Sequence, residues 1–225
     1  MIRTSRLLIF IVGFLVSGSS EPAESLNGLW RSQGYGYVFE IQGSSLKNFE
    51  VTTTTCVPGV TARRDQAELP GRAITFNAKD GDVLLIKAGG SSDHKLLHSE
   101  GAASDIRIER LPKMPDVCRH LTRNTPLDNF EVFTRTWAEH YISFDLKHAW
   151  ERIVAESRHR VTSRTTPAEL FEIFQERVKP FGDAHTFINA PNLKRRLHGI
   201  RPGSDRAAKD GLDAFQQKGM QELLA

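Results

Sequence analysis

The hydrophobic pattern of this chain changes from strand-like to helical at residues 111–115, and that change limits the folds open to it. Before this point, short runs of β-branched, aliphatic and aromatic residues recur between turns rich in glycine, aspartate and asparagine. Short strands at regular spacing are typical of an antiparallel meander. The sequence therefore predicts that residues 26–111 form a small antiparallel β domain, either a barrel or a sandwich. The predicted strands cover residues 35–41, 49–55, 74–76, 83–86, 95–97 and 106–108.

The residues that follow are predicted to form helices. Two prolines end the last strand and indicate a linker over residues 112–124. Thr125 and Thr166 each precede a proline and are typical helix N-caps, and Asp145 is predicted to begin a helix between them. The three apolar stripes within residues 125–191 favour a three-helix bundle. We therefore expect an α+β protein: a β domain, a three-helix bundle domain, and a basic, turn-rich tail over residues 192–225.

Residues 1–20 have the pattern of a secretory signal peptide. Arg3 and Arg6 precede a short apolar run, and small residues follow it. The run is about half of the roughly 20 residues that a membrane-spanning helix needs, so it predicts export rather than a stable membrane anchor. We expect cleavage between Gly18 and Ala23 and a periplasmic or extracellular location. Loss of both arginines would lower the formal net charge of +3 to +1, which does not favour binding to nucleic acid.

Cys56 and Cys118 are the only two cysteines. In an exported protein, two cysteines favour a disulfide. Two buried free thiols are the alternative interpretation. A metal site is less favoured, because the sequence lacks the CxxC spacing of common metal sites.

The motifs of several common catalytic centres are absent from the sequence, including GxSxG, HExxH, the Walker A loop and the Rossmann fingerprint. We expect neither a cofactor nor a metal.

His94 and His98 are four residues apart in strand-like sequence, about 13 Å, which is too far to share a metal ion. We interpret both as surface histidines. His140 and His148 flank the turn between the first two predicted helices and are expected to form local hydrogen bonds.

Asp183 and His185 lie where a predicted helix ends at Gly182 and a strand begins at Thr186. Catalytic side chains are often held on turns between two rigid elements. From the residues alone, the simpler interpretation is that both side chains bond to amides of the turn.

Residues 130–191 resemble the helical domain of the tail-specific, or C-terminal-processing, serine peptidases, including the tricorn-type enzymes. The family usually has Asp-Gly-His-Thr in its last shared motif, so Ala184 departs from it. The resemblance implies that His185 is catalytic, at the position of the general base in tricorn-type enzymes. The shared features, in chain order, are residues 133–137, Tyr141-Ile142-Ser143-Phe144, Trp150, residues 166–170 and Asp183-Ala184-His185-Thr186.

In that family the nucleophilic serine lies in a later domain, and a further domain needs on the order of 100 residues, more than follow Pro191 here. We therefore expect a truncated homologue of a secreted tail-specific serine peptidase that has no proteolytic activity by itself, and its assignment as an enzyme stays open. The alternatives are a non-catalytic secreted binding or scaffolding protein, and a carrier of small apolar ligands in the β domain. The expected partners are a peptide or protein substrate, or a separate catalytic chain.

Overall fold

Eight antiparallel strands close into a barrel in a computed structural model that describes residues 26–65, 73–141, 147–181, 183 and 186–199. Each strand pairs with the next along the chain, and the last strand pairs with the first. The strands are β1 Gly28–Ser32, β2 Tyr37–Gln42, β3 Ser45–Val51, β4 Cys56–Arg64, β5 Ile74–Ala78, β6 Val83–Ser91, β7 His94–Ser99 and β8 Ile106–Leu111.

The barrel interior is a packed apolar core. An eight-stranded barrel is just wide enough for side chains to fill it, and alternate residues of each strand point inward. Trp30 is completely buried, and its Nε1 donates a hydrogen bond to the carbonyl oxygen of Leu26 at 2.9 Å. The buried side chains of this core are those of Leu26, Trp30, Phe39, Ile41, Leu46, Ala62, Phe76, Ile86, Leu97 and Ile108.

The prediction of one strand over residues 49–55 is wrong, because its last four threonines form the turn between β3 and β4. Thr52 N donates to Thr55 O at 2.9 Å, and the two hydroxyls hydrogen bond at 2.6 Å. Strand β4 is absent from the sequence prediction, since Pro58 and Gly59 usually mark turns or irregular strands. The register of β3 against β4 shifts at this place, which accommodates both residues within a strand.

Residues 112–124 pack against the outside of the barrel. A short 3-10 helix, Asp116–Arg119, brings Cys118 to Cys56, where the two form a disulfide with a Cα–Cα distance of 5.1 Å. Thr122 N donates to Cys56 O at 2.8 Å, and Thr122 Oγ1 accepts from Cys56 N at 2.9 Å. The disulfide predicted from the sequence is confirmed. An apolar cluster forms under this segment from Val38, Phe49, Val51, Cys56, Leu111, Met114, Val117 and Cys118.

Three helices follow: α1 Pro126–His140, α2 Lys147–Arg158 and α3 Pro167–Val178. Thr125 caps α1 by accepting from Asp128 N, as predicted. Thr166 caps α3 within a complete capping box, in which Glu169 accepts from Thr166 N at 2.7 Å. Both predicted caps are confirmed, whereas Asp145 lies outside the described residues.

The last described elements form a two-stranded hairpin. A 3-10 turn, Lys179–Phe181, ends α3, and strands β9 Phe187–Ala190 and β10 Arg195–His198 flank a second 3-10 turn, Pro191–Leu193. The expected turn-rich tail therefore includes a strand, β10, which the sequence did not predict. Residues 1–20 and 201–225 lie outside the described residues.

The expected fold class, a β-barrel or sandwich followed by a three-helix bundle domain, is wrong. The strands form a closed barrel, and the helices share their core with the hairpin instead of making a bundle of their own. The reason is the wide apolar face of α3. Leu170 packs with Phe130 of α1, whereas the adjacent Phe171 packs with Leu197 of β10.

The barrel and α1 are joined by polar contacts at the turn between β3 and β4. The carboxylate of Glu139 accepts a hydrogen bond from Thr53 N at 2.9 Å. The carboxylate of Glu131 accepts one from the Thr54 hydroxyl at 3.1 Å. These contacts, with the disulfide, place the helices at the same end of the barrel as this turn.

Candidate functional site

The turn before β9 is held through Asp183. The carboxylate of Asp183 accepts a hydrogen bond from the Tyr141 hydroxyl at 2.8 Å. Its carbonyl oxygen accepts from Thr186 N at 3.1 Å and from Thr186 Oγ1 at 2.8 Å. Asp183 therefore fixes the turn through its side chain and its backbone, and connects it to the C-terminal end of α1.

Tyr141 is positioned by an aromatic cluster. Its ring lies 4.3 Å from that of Trp137 and 6.0 Å from that of Phe181, measured between centroids. Burial, followed by the hydrogen bond to Asp183 and the charge of that carboxylate, raises the pKa of Tyr141 to about 12. The phenol therefore stays protonated at neutral pH and acts as a hydrogen-bond donor. The cluster consists of Phe130, Phe133, Trp137, Tyr141, Trp150, Phe174 and Phe181.

The far end of the hairpin closes on the same turn. Gly199 N donates to the carbonyl oxygen of Thr186 at 2.8 Å. A Cβ atom at Gly199 would overlap the carbonyl oxygen of Asp183, so the close approach requires glycine at this position. The backbone on both sides of the turn is thus fixed by the hairpin.

The predicted catalytic residue His185, with Ala184 and Gly182, lies outside the described residues. The described neighbours, Asp183 and Thr186, are both occupied in hydrogen bonds that hold the turn. In the sequence, Tyr141 continues the apolar stripe of Phe133 and Trp137, and this pattern does not identify its bond to Asp183. A tyrosine within an apolar stripe commonly needs a polar partner, so the pattern indicates that Tyr141 has one. It does not indicate which residue, because Asp183 lies 42 residues away in sequence.

Two of the other histidines lie on the β6–β7 hairpin and do not come together. His94 Nδ1 lies 2.8 Å from Ser91 Oγ, and His98 Nδ1 lies 2.9 Å from the carboxylate of Asp105. The serine–histidine pair and the histidine–carboxylate pair are therefore separate. Asp105 also binds the ammonium of Lys87 at 2.9 Å, and these bonds lower its pKa.

His140 lies at the junction of α1 and the barrel. Its Nε2 donates to the carbonyl oxygen of Val51 at 3.0 Å, and its ring covers Gly36 so closely that a Cβ there would overlap it. The expected local hydrogen bond is in fact a bond between elements 89 residues apart. The side chain of His148 lies outside the description.

A groove of about 670 Å³ lies between the N-terminal ends of α1 and α3 and the hairpin. Its floor is apolar, with Leu170, Phe171 and Ile188, and asparagines lie along its rim. Sequence patterns do not predict this groove, because its walls come from three separate elements.

Within the described ranges, no three His, Cys, Asp or Glu side chains come together in a way that could hold a metal ion. No helix in the same ranges is long and apolar enough to cross a membrane. The disulfide is compatible with an oxidising, exported location.

Comparison with known protein families finds no match to this chain, and no curated protein matches it either.

Proposed function

We propose that this protein is an exported, non-catalytic relative of the tail-specific serine peptidases that binds a separate catalytic chain. The motif Asp183-Ala184-His185-Thr186 and the spaced aromatic residues before it support the relationship. The observation that carries the binding role is Phe187, which follows this motif directly and is 62% exposed. We call the exposed residues Phe187, Asn189 and Arg196 the outer hairpin face.

The outer hairpin face has the composition of a protein-binding surface. The guanidinium of Arg196 lies 5.4 Å from the centroid of the Phe187 ring, within the range of a cation–π contact. Aromatic and arginine side chains contribute most of the binding energy at many protein interfaces. Burying one phenylalanine side chain contributes about 1.5–3 kcal/mol, so Phe187 can anchor a partner.

The chemistry of the described residues supports a role without hydrolysis. Acyl transfer needs a nucleophile that contacts a base, with the base oriented by a third group. In the part of the chain that the structure describes, Ser91 contacts His94. The carboxylate of Asp105 contacts a different histidine, His98, so these side chains do not form a triad. Asp183 binds Tyr141 and Thr186 and acts as a structural residue of the turn.

The packed barrel interior does not favour the ligand-carrier alternative. Trp30, Phe76, Ile41 and Leu46 fill the space that such a ligand would need, and all four are completely buried. A carrier of this kind needs a cavity enclosed by the strands.

The binding role is tested by affinity purification of the tagged protein from its native host, with identification of any serine peptidase chain that accompanies it. Phe187→Asp should greatly reduce the recovered peptidase. Leu121→Asp is the matched control, since Leu121 is also apolar and 47% exposed but lies far along the chain from the hairpin. Equal recovery with both variants, or the absence of any peptidase chain, would contradict the proposal.

The absence of hydrolysis is tested separately with the purified protein and an unstructured peptide. We expect no turnover above that of the buffer. Turnover that disappears in His185→Ala would show that the chain is itself a peptidase.

A further inference from the structure

One end of the barrel collects polar groups on its inner face. In the pairing of β2 with β3, Tyr37 lies opposite Glu50 and Phe39 lies opposite Asn48. Residues directly opposite one another point to the same side of a sheet. Phe39 belongs to the barrel core, so Tyr37, Asn48 and Glu50 share its inward side, at the end of the barrel nearest α1.

Two of these groups lack a hydrogen-bond donor among the described residues. Asn48 Oδ1 is buried and has no hydrogen-bond partner among the described residues. The carboxylate of Glu50 makes neither a hydrogen bond nor an ion pair with any described residue. A buried acceptor without a donor, as at Asn48 Oδ1, is rare in proteins and calls for an explanation. A ligand that brings N–H donors would supply hydrogen-bond partners for Asn48 Oδ1 and for the carboxylate of Glu50.

Two tyrosine rings lie at the same end of the barrel as these acceptors. Tyr35 stacks on Tyr37 with the ring planes 3° apart and the centroids separated by 6.2 Å. Tyr35 is 49% exposed, so its ring is accessible to solvent. Tyr37 lies directly opposite Glu50 in the sheet, and burial, then the charge of Glu50, raises the pKa of the Tyr37 phenol. Glu50 is exposed as a residue, yet neighbouring atoms desolvate its carboxyl enough to raise its pKa as well.

The backbone between the two tyrosines is fixed before any ligand arrives. Gly36, between them, accepts a hydrogen bond at its carbonyl oxygen from Val51 N at 2.7 Å. The imidazole of His140 packs directly against Gly36. A preorganised site loses less conformational freedom on binding than a mobile one.

We propose that this end of the barrel, formed by Tyr35, Tyr37, Asn48 and Glu50, binds the guanidinium group of an arginine side chain on a peptide or protein. A guanidinium is planar and carries five N–H donors in a fixed fork. It can therefore bind a carboxylate through two parallel hydrogen bonds while its face stacks on an aromatic ring. This inference is independent of the proposed function, since it concerns the barrel and not the hairpin.

The test is an NMR titration of the full chain with Nα-acetyl-L-arginine amide. Saturable shifts are expected for the ring signals of Tyr35 and Tyr37 and for the side-chain amide of Asn48. Glu50→Gln should weaken binding at least about tenfold, because it removes the charge but keeps the shape. Glu40→Gln is the matched control, since Glu40 lies on the same hairpin but pairs with Lys47 outside the barrel, and it should bind like wild type.

The neutral isostere Nα-acetyl-L-citrulline amide should not bind, and the lysine analogue should bind more weakly than the arginine one. The inference would be overturned if no saturable shift occurred up to about 50 mM ligand, which corresponds to negligible affinity. Equal binding by Glu50→Gln and wild type, or equal binding of the citrulline or lysine analogue, would also overturn it. The unfolding midpoint of Glu50→Gln, measured in parallel, shows that the variant is folded.

Discussion

The hydroxyl of Tyr141 donates to the carboxylate of Asp183 at 2.8 Å, although 42 residues separate the two in sequence. The bond connects the C-terminal end of α1 to the turn that precedes the hairpin. Through it, the aromatic cluster of the helices fixes the backbone on which the outer hairpin face is displayed.

Tyr141→Phe is expected to lower the free energy of unfolding by about 1 kcal/mol, because it removes the donor and keeps the ring. Urea unfolding at neutral pH measures the effect. Tyr35→Phe serves as the control, since the Tyr35 ring is half exposed and its hydroxyl bonds to no described residue. Equal urea midpoints for wild type, Tyr141→Phe and Tyr35→Phe would mean that the bond does not stabilise the fold.

The raised pKa of Tyr141 predicts a pH dependence with a definite sign. The folded-state pKa of about 12 lies above the ordinary value of 10.0, so the fold favours the protonated phenol. Its contribution is complete below the ordinary value and is lost as the pH rises through the folded-state value. The difference in unfolding free energy between wild type and Tyr141→Phe should therefore shrink as the pH rises through this interval. A difference that does not change with pH would contradict the assignment.

Gly36→Ala is expected to destabilise the junction of barrel and helices. Gly36 and Gly34 both have positive φ, of 70° and 97°, so alanine at either position costs about 1 kcal/mol of backbone strain. Only at Gly36 would the new Cβ also displace His140, which should add about 1–3 kcal/mol. Denaturant unfolding of Gly34→Ala and Gly36→Ala separates the cost of backbone strain from the cost of the clash with His140. Gly36→Ala should cost less unfolding free energy when it is made in the His140→Ala background. If the two single losses simply add in the double variant, the contact between Gly36 and His140 is excluded.

The double substitution Cys56→Ser with Cys118→Ser is expected to lower the unfolding free energy by about 4 kcal/mol, because the disulfide closes a loop of about 60 residues in the unfolded chain. Guanidinium unfolding measures this loss. Wild type treated with a reductant should behave like the variant. Thiol titration of the unfolded, unreduced wild type should find no free thiol, and two free thiols would refute the bridge.

Thr166→Ala is expected to destabilise α3 by about 1 kcal/mol, because it removes one half of the capping box. The thermal unfolding midpoint of Thr166→Ala measures this effect. Ser163→Ala is the control, since Ser163 is exposed and precedes the cap. A similar midpoint for both variants would show that the box contributes little.

Local patterns predicted local structure well in this chain. Thr125 and Thr166 were identified as caps because an N-cap satisfies backbone amides within its own helical turn. The prediction failed at residues 52–55 and at β4, where a threonine run forms a turn and a strand contains Pro58 and Gly59. Propensity favours extended threonines and disfavours a strand with proline. The Thr52 hydroxyl instead accepts from the amide of Thr55 and stabilises a turn, whereas pairing with β3 and β5 keeps β4 extended.

Sequence patterns were enough to predict most of the strands, the helices that follow them, the two confirmed caps and the pairing of the only two cysteines. Each of these features depends on residues close in sequence or on a single possible partner. The packing of the whole chain determined that the sheet closes, with Leu29 of β1 opposite Leu111 of β8. It also decided that α3 divides its apolar face between α1 and the hairpin, and that Tyr141 meets Asp183. An alternating strand satisfies a barrel and a sandwich equally well, since both bury one face. Which distant residues come together is decided only by the packing of the whole chain.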